Sequence, residues 1–290
     1  MWLPQIALSG IATGAIYSLI AVGFTVVFNA TKVTNFAHGE FVMIGGLASA
    51  FLVSALQWPV AAAVVGALLL VILLAVLLDY LALQHASRKT VLDLTMITIG
   101  VGFLYRGLSQ VMFGREIILP PRFGGVPNLN LFDLRVDSQS VWILLCLVLS
   151  ISLLSYLFLI TRLGKAMRAA SQNPRAAALC GIDPRKMSML AFGLGGATGA
   201  LAGALVAPIG AAYYEYGLTF GLKGFAAAVL GGFGNPVGAV LGGMLIGLAE
   251  SFAAGYLSSA YKDATSLAIL LGLLLVRPNG LLGRAEARRV

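Results

Sequence analysis

Lys223 and Arg106 each stand several residues inside an apolar run, and His38 and Glu40 stand two apart at the head of another. A cation at the centre of a bilayer costs about 2.5–3.5 kcal/mol on insertion scales. Each of the two cations therefore either snorkels to the membrane interface or makes a polar contact beside a translocation path. His38 and Glu40 close the segment Asn29–Glu40, NATKVTNFAHGE, which interrupts apolar sequence. Gly231–Pro236, GGFGNP, is a second interruption. Glycine-rich runs follow both, GEFVMIGG after the first and VGAVLGG after the second. Such paired breaks either are plain turns or flank a substrate path, because backbone groups freed at membrane depth need protein or water to satisfy them. On the second reading Asn35, His38, Glu40, Lys223 and Asn235 belong to the pathway or its cytoplasmic gate. His38 and Glu40 would hold the local structure through hydrogen bonds, and Asn235 would cap a helix beginning at Pro236.

The stretch 161–187, TRLGKAMRAASQNPRAAALCGIDPRKM, has a different chemistry. Arg162, Lys165, Arg168, Arg175, Arg185 and Lys186 face a single Asp183. Asn173 suits a helix N-cap and Pro174 the first helical turn. Gly181 stands where a left-handed C-terminal cap is needed, and Asp183-Pro184 restarts a helix. A short, separately capped helix containing Arg175 and Ala177 is expected on the membrane surface. Basic residues near spans stay in the cytoplasm, so that helix is presented to a cytoplasmic partner.

Catalytic chemistry finds little support. The two histidines, His38 and His85, lie far apart, and no Cys/His cluster has metal-ligand spacing. The phosphate-loop pattern G-x-x-x-x-G-K-[ST] is absent, so ATP is not expected to bind here through that loop. Neither a cofactor nor a metal is expected on this chain. Of the other charges, Glu40, Asp79, Asp93 and Glu250 read as lying near span ends. A stand-alone secondary transporter would be expected to carry ionisable pairs deeper in its spans, and a membrane-embedded enzyme a nucleophile or metal cluster.

The elements that position these residues are membrane spans. The chain has 290 residues, 59% hydrophobic and 10% charged, with a mean hydropathy of +0.95. A soluble domain is about a quarter charged. The net charge of +8 reads as a topology signal rather than a nucleic-acid footprint, because most of it lies in short loops and the tail. The opening MWLPQIALSG lacks a basic stretch before its apolar run, so the first span is expected to stay. Cys146 falls in a span and Cys180 in the basic loop, which speaks against a disulfide and makes Cys180 a small packing residue.

Spans are expected at 6–29, 39–56, 60–83, 92–112, 141–160 and 187–207. Beyond these the pattern breaks into 221–233, 237–254 and 264–276. The fold class is all-α, a polytopic transmembrane bundle of about eight or nine segments, some broken or re-entrant. Nine crossings put the N-terminus outside, whereas a re-entrant 221–233 moves one terminus to the other side. The 161–187 loop, the turn with His85, Arg88 and Lys89, and the tail with Arg284, Arg288 and Arg289 are expected in the cytoplasm. The 113–140 loop balances its charges and reads as external, with a small hairpin or ordered lid in LNLFDLRV. Gly195, Gly199 and Gly203 form a small-residue face for helix packing, within the subunit or against a second one.

Taken together, the motifs resemble one family, the permease subunits of branched-chain amino acid ABC importers of the LivH/LivM type, closer to LivH. The opening Gly10–Gly23 is similar to the family's. Asn35-Phe36-Ala37-His38-Gly39-Glu40 matches its most distinctive hexapeptide. Thr98-Ile99-Gly100, the loop residues Gly164, Arg168, Asn173, Ala177 and Gly181, the late Gly231–Asn235 and Gly238, and the closing Arg277-Pro278-Asn279-Gly280-Leu281 match as well. Leu282 stands where the family often has Phe. The resemblance covers nearly the whole chain.

It implies one transmembrane permease domain over 1–290, with 161–187 as cytoplasmic coupling loop and a fold nearer the type II than the maltose type. Arg168, Asn173, Pro174, Arg175, Ala177 and Gly181 would couple to the ATPase. The implied partners are a second permease (LivM-like or a second copy), two cytoplasmic ATPase subunits that hold ATP and Mg, a periplasmic substrate-binding protein and the lipid of a bacterial inner membrane. The implied function is import of branched-chain or other hydrophobic amino acids by alternating access. Amide, urea or aromatic acid cargo keeps the same complex.

Overall fold

A computed structural model describes residues 3–86, 90–124, 129–131 and 134–283. Arg88, Lys89, Asp133, Arg284, Arg288 and Arg289 therefore lie outside the described residues. The order is α1 (Leu3–Thr31), α2 (His38–Ser54), α3 (Val60–Leu77), α4 (Val91–Phe113), strands β1 (Leu129–Leu131) and β2 (Leu134–Val136), α5 (Ser138–Leu159), α6 (Arg162–Gln172), α7 (Pro174–Leu179), α8 (Pro184–Gly210), α9 (Tyr216–Gly231), α10 (Pro236–Tyr256) and α11 (Lys262–Val276). β1 and β2 pair antiparallel, forming the hairpin expected in the 113–140 loop.

The continuous apolar runs become helices because a helix satisfies its backbone internally, which lipid requires. Among the described residues seven are long and apolar enough to cross a bilayer: α1, α3 with its π-helical extension Leu78–Leu83, α4, α5, α8, α10, and α11 with the turn before it. α2 has 17 residues and α9 has 16. At 1.5 Å per residue each reaches roughly 25 Å.

Burial sorts the helices into two shells. In α1 and α8 most residues are buried, and α2 is closed to solvent from His38 through Ala50. α3 buries one stripe at fourfold spacing, Ala63, Ala67, Val71 and Ala75, and turns Leu69, Leu70 and Leu73 outward. That is a helix between protein and lipid.

Small residues set the crossings of the inner shell. A side chain at Gly203 of α8 would strike the Val42 carbonyl of α2, and one at Gly243 of α10 would strike Ser18 of α1. Gly195, Gly199 and Gly203 thus pack against α1 and α2 of the same subunit.

The bundle has two ends. At one lie α6 and α7, the Gly232–Asn235 turn, and the final segment, whose Leu281 and Leu282 N–H groups donate to Leu230 and Gly231 carbonyls at 2.9 and 3.0 Å. At the other, Ile118 bridges Ala212, and Phe123 N–H donates to Gln139 at the head of α5. α9 runs from the Ala212 end to the Gly231 end. It begins at Tyr216 rather than near Gly221, because Gly217 and Gly221 let it lie directly on Gly39 of α2.

Candidate functional site

The first chain break is held from within and from α4. Asn35 Oδ1 accepts the Ala37 N–H at 3.1 Å, and the Phe36 N–H donates to Thr98 Oγ1 at 3.1 Å. His38 follows, closed to solvent, with its ring 4.6 Å from Phe24 and 6.1 Å from Phe41. Gly23 and Gly199 leave it room, since a Cβ at either position would meet the ring. Both ring nitrogens are buried, and the polar group that faces the ring is the Ile20 backbone. His38 acts there as a packed ring. Glu40 does bond, forming an ion pair with Arg106 of α4.

The second break turns on two glycines with left-handed backbones, Gly232 (φ 104°) and Gly234 (φ 93°). Asn235 then caps α10 as the sequence implies, accepting from the Val237 and Gly238 N–H groups at 3.1 and 3.2 Å. Its amide donates to the Leu282 carbonyl at 3.1 Å, so one side chain fixes both a helix start and the closing segment. Asn29 Nδ2 reaches the Gly234 carbonyl at 2.7 Å and ties the end of α1 to the same turn.

An aromatic seam joins the two breaks. Phe28 meets Phe233 at 4.4 Å, Phe233 meets Phe225 at 5.7 Å, and Phe225 meets Phe36 and Phe24 at 5.3 and 5.8 Å. Phe24 in turn packs on His38. Asn35, His38, Glu40 and Asn235 are thereby brought to one region. Phe36 and Phe233 lie in the two breaks that the sequence marks, whereas Phe24, Phe28 and Phe225 give no sequence signal, because a phenylalanine in an apolar span is not distinguished by position.

Lys223 belongs elsewhere. Its Nζ lies 3.0 Å from Glu250 Oε1 and 2.7 Å from Asp263 Oδ1, and it donates to the Tyr17 hydroxyl at 3.3 Å. Tyr17 donates to Glu250 Oε2 at 2.7 Å, and Ser266 donates to Glu250 Oε1. Neither Lys223 nor Arg106 snorkels alone, because each faces a buried glutamate. Glu250, Glu40 and Asp79 are themselves buried. Asp79 sits in the π-helical turn and accepts from Ser188 and Gln84, joining α3 to the start of α8.

The basic loop folds as two helices. α6 is amphipathic and buries Gly164, Met167 and Ala170, while Arg168 points outward. Asn173 Oδ1 accepts the Ala176 N–H at 3.1 Å, capping α7, and Pro174 opens it. Gly181 has φ 80°, with its N–H bonded to the Ala178 carbonyl and that of Ile182 to the Ala177 carbonyl. Asp183 caps α8 through the Arg185 N–H. Ala177 faces inward, whereas Leu179 is 91% exposed and Arg175 lies on the open face. Cys180 is exposed too, so it is not the packing residue expected. Leu179 went unnoticed because one leucine in a short alanine-rich helix reads as an inward anchor.

Comparison with known proteins agrees with this architecture. Residues 6–276 match the family model described as branched-chain amino acid transport system / permease component. The chain is 33% identical to the high-affinity branched-chain amino acid transport system permease protein LivH of Escherichia coli, over 100% of this chain and 98% of that one. It is 30% identical to BraD of Pseudomonas aeruginosa over 99% and 97%, and 29% identical to Escherichia coli LivM over 92% of this chain and 68% of that one. In structure it is similar to a chain of PsaBC from Streptococcus pneumoniae in complex with Fab, with a TM-score of 0.51 and 13% identity over 93% of this chain and 91% of the other, a likeness of fold. With the family model spanning nearly all of it, the chain belongs to the branched-chain amino acid transport system permease components, nearer LivH than LivM.

Proposed function

We propose that this chain is the permease subunit of an ATP-driven importer that carries branched-chain or other hydrophobic amino acids across a bacterial inner membrane. Two permeases form the pathway, this chain pairing with a LivM-like subunit or with a second copy. Two cytoplasmic ATPases bind ATP and Mg, and a periplasmic protein delivers the substrate. The chain performs no bond chemistry of its own. It crosses nine times, with α2 and α9 completed by adjoining coil, in a type II-like arrangement. The N-terminus lies outside and the C-terminus inside.

The α6–α7 hairpin carries this reading. Arg168, Arg175 and Leu179 are open to solvent on a helix pair whose inward residues, Met167 and Ala177, anchor it. A charged rim around one exposed apolar residue suits a protein groove. The hairpin lies at the same end as the two joined breaks, so movement of α6–α7 can reach the seam through α1 and α8. Alternating access follows if nucleotide binding shifts that end between closed and open packings. The test is uptake by proteoliposomes containing the co-expressed permeases, ATPases and binding protein. Leucine should accumulate only with internal ATP and only when this subunit is present. Uptake that proceeds without ATP contradicts the proposal.

A further inference from the structure

At the end carrying the 113–140 loop, the bundle opens into a cavity of about 410 Å³ lined by α1, α5, α8, α9 and the start of α11. Pockets for small molecules run from about 300 to 1,000 Å³ and combine an apolar lining with a few placed polar groups. This one has that composition. Ile16, Ile143, Val206 and Phe220 give it an apolar wall. Asp137 and Lys262 bring one charge of each sign, from two different segments, and Tyr17 borders it.

The two charges are differently committed. Asp137 accepts the Gln139 N–H as cap of α5 and pairs with Arg122 at 3.1 Å. Lys262 comes only to 3.9 Å from Glu250, beyond hydrogen-bond distance, and its side chain is 40% exposed. Lys223, by contrast, is fully engaged by Glu250, Asp263 and Tyr17. That engagement satisfies the charge of Glu250 without Lys262, so the Lys262 ammonium remains available to a ligand.

We infer that this cavity receives a free hydrophobic amino acid in its zwitterionic form, with the carboxylate at Lys262, the ammonium toward Asp137 and the side chain against Ile16, Ile143 and Phe220. The inference rests on the import function proposed above and gives it a transit site within this subunit. A zwitterionic lipid headgroup presents similar chemistry, so the membrane of the test must lack one.

The assembled importer is placed in phosphatidylglycerol nanodiscs, with Cys146 and Cys180 replaced by serine and a single cysteine at Thr13, which borders the cavity. A water-soluble thiol reagent is applied with leucine or leucinamide, which lacks the carboxylate. Leucine should slow modification and leucinamide should not. Lys262→Gln should raise the leucine concentration for half-protection about tenfold, the scale of one lost hydrogen bond to a charged group. Labelling indifferent to leucine, in a complex that takes up leucine when reconstituted in proteoliposomes, overturns the site and leaves the import function standing. A wild-type complex that takes up no hydrophobic amino acid overturns both. Protection that appears on adding phosphatidylethanolamine without leucine makes the occupant a lipid headgroup and overturns the amino acid assignment.

Discussion

Lys223 Nζ meets Glu250 Oε1 at 3.0 Å, joining α9 to α10 where the glutamate is closed to solvent. Tyr17 and Ser266 complete the carboxylate's hydrogen bonds, so the pair links α1, α9, α10 and α11. These are neighbours in the fold but lie up to 249 positions apart in sequence, from Tyr17 to Ser266. The arrangement fixes how the late helices seat on the first one.

Breaking such a pair from one side leaves an uncompensated buried charge, at a cost of about 3–5 kcal/mol. Lys223→Met, which leaves the buried Glu250 without a cation within hydrogen-bond distance, should therefore lower the thermal unfolding midpoint of the solubilised permease strongly. Lys223→Met combined with Glu250→Leu should recover much of the loss, because replacing both partners by apolar groups is often neutral. Tryptophan fluorescence melts of the two variants check this. A double variant as unstable as the single would mean that the lysine contributes through Asp263 instead.

A second prediction separates docking from folding in the coupling hairpin. Leu179→Asp places a charge at an open position and should leave α7 intact while reducing co-purification with the ATPase subunit. Gly181→Val acts on the fold, because a β-branched residue is penalised at φ 80°. Substrate-stimulated ATPase activity should fall in both variants, but only Gly181→Val should increase protease cleavage of the loop. Full stimulation in a stably assembled Leu179→Asp complex would remove α7 from the coupling role.

Much of this hairpin was legible in the sequence. Asn173, Pro174, Gly181 and Asp183 are capping residues whose local chemistry acts within a few residues, and each occupies the position that chemistry implies. The same holds for Asn235. The partners of Glu40, Lys223 and Glu250 were not legible, because they come from helices distant in sequence and only packing selects them. Reading Glu250 as a charge near a span end therefore gave no sign of its burial. The chain gives it a place along one helix, while its burial depends on Tyr17, Ser266 and Lys223 from three others. Likewise Ala177 could be assigned to α7, but not to the inner side of α7, since six residues give too short a pattern to fix a face.

Orientation rests on the basic residues, and single cysteines test it. With Cys146 and Cys180 replaced, a cysteine at Gln172 of α6 should react with a membrane-impermeant thiol reagent only in inside-out vesicles. One at Glu116, exposed at the opposite end, should react only in right-side-out vesicles. The reverse pattern would overturn the sidedness of both loops and of the closing segment, which lies at the α6–α7 end.

The aromatic seam gives the last prediction. Phe233 is the aromatic contact of the Gly231–Asn235 turn with α1 and α9, at 4.4 Å from Phe28 and 5.7 Å from Phe225. Each aromatic pair contributes about 0.5–1.5 kcal/mol beyond its buried area. Removing Phe233 should weaken the link between the breaks by about 1–3 kcal/mol over its two contacts. The helices themselves should survive, since the Asn235 cap and the bonds from Leu281 and Leu282 remain. If the seam forms part of the cytoplasmic closure, Phe233→Ala should retain assembly and basal ATPase activity while ATP-driven uptake falls. Phe233→Tyr, which keeps a ring, should restore most of it. The comparison needs uptake and ATPase rates from the same proteoliposomes. Wild-type uptake by Phe233→Ala, together with wild-type uptake by His38→Ala at the other end of the seam, would leave the two breaks as ordinary turns and put the gate elsewhere in the bundle.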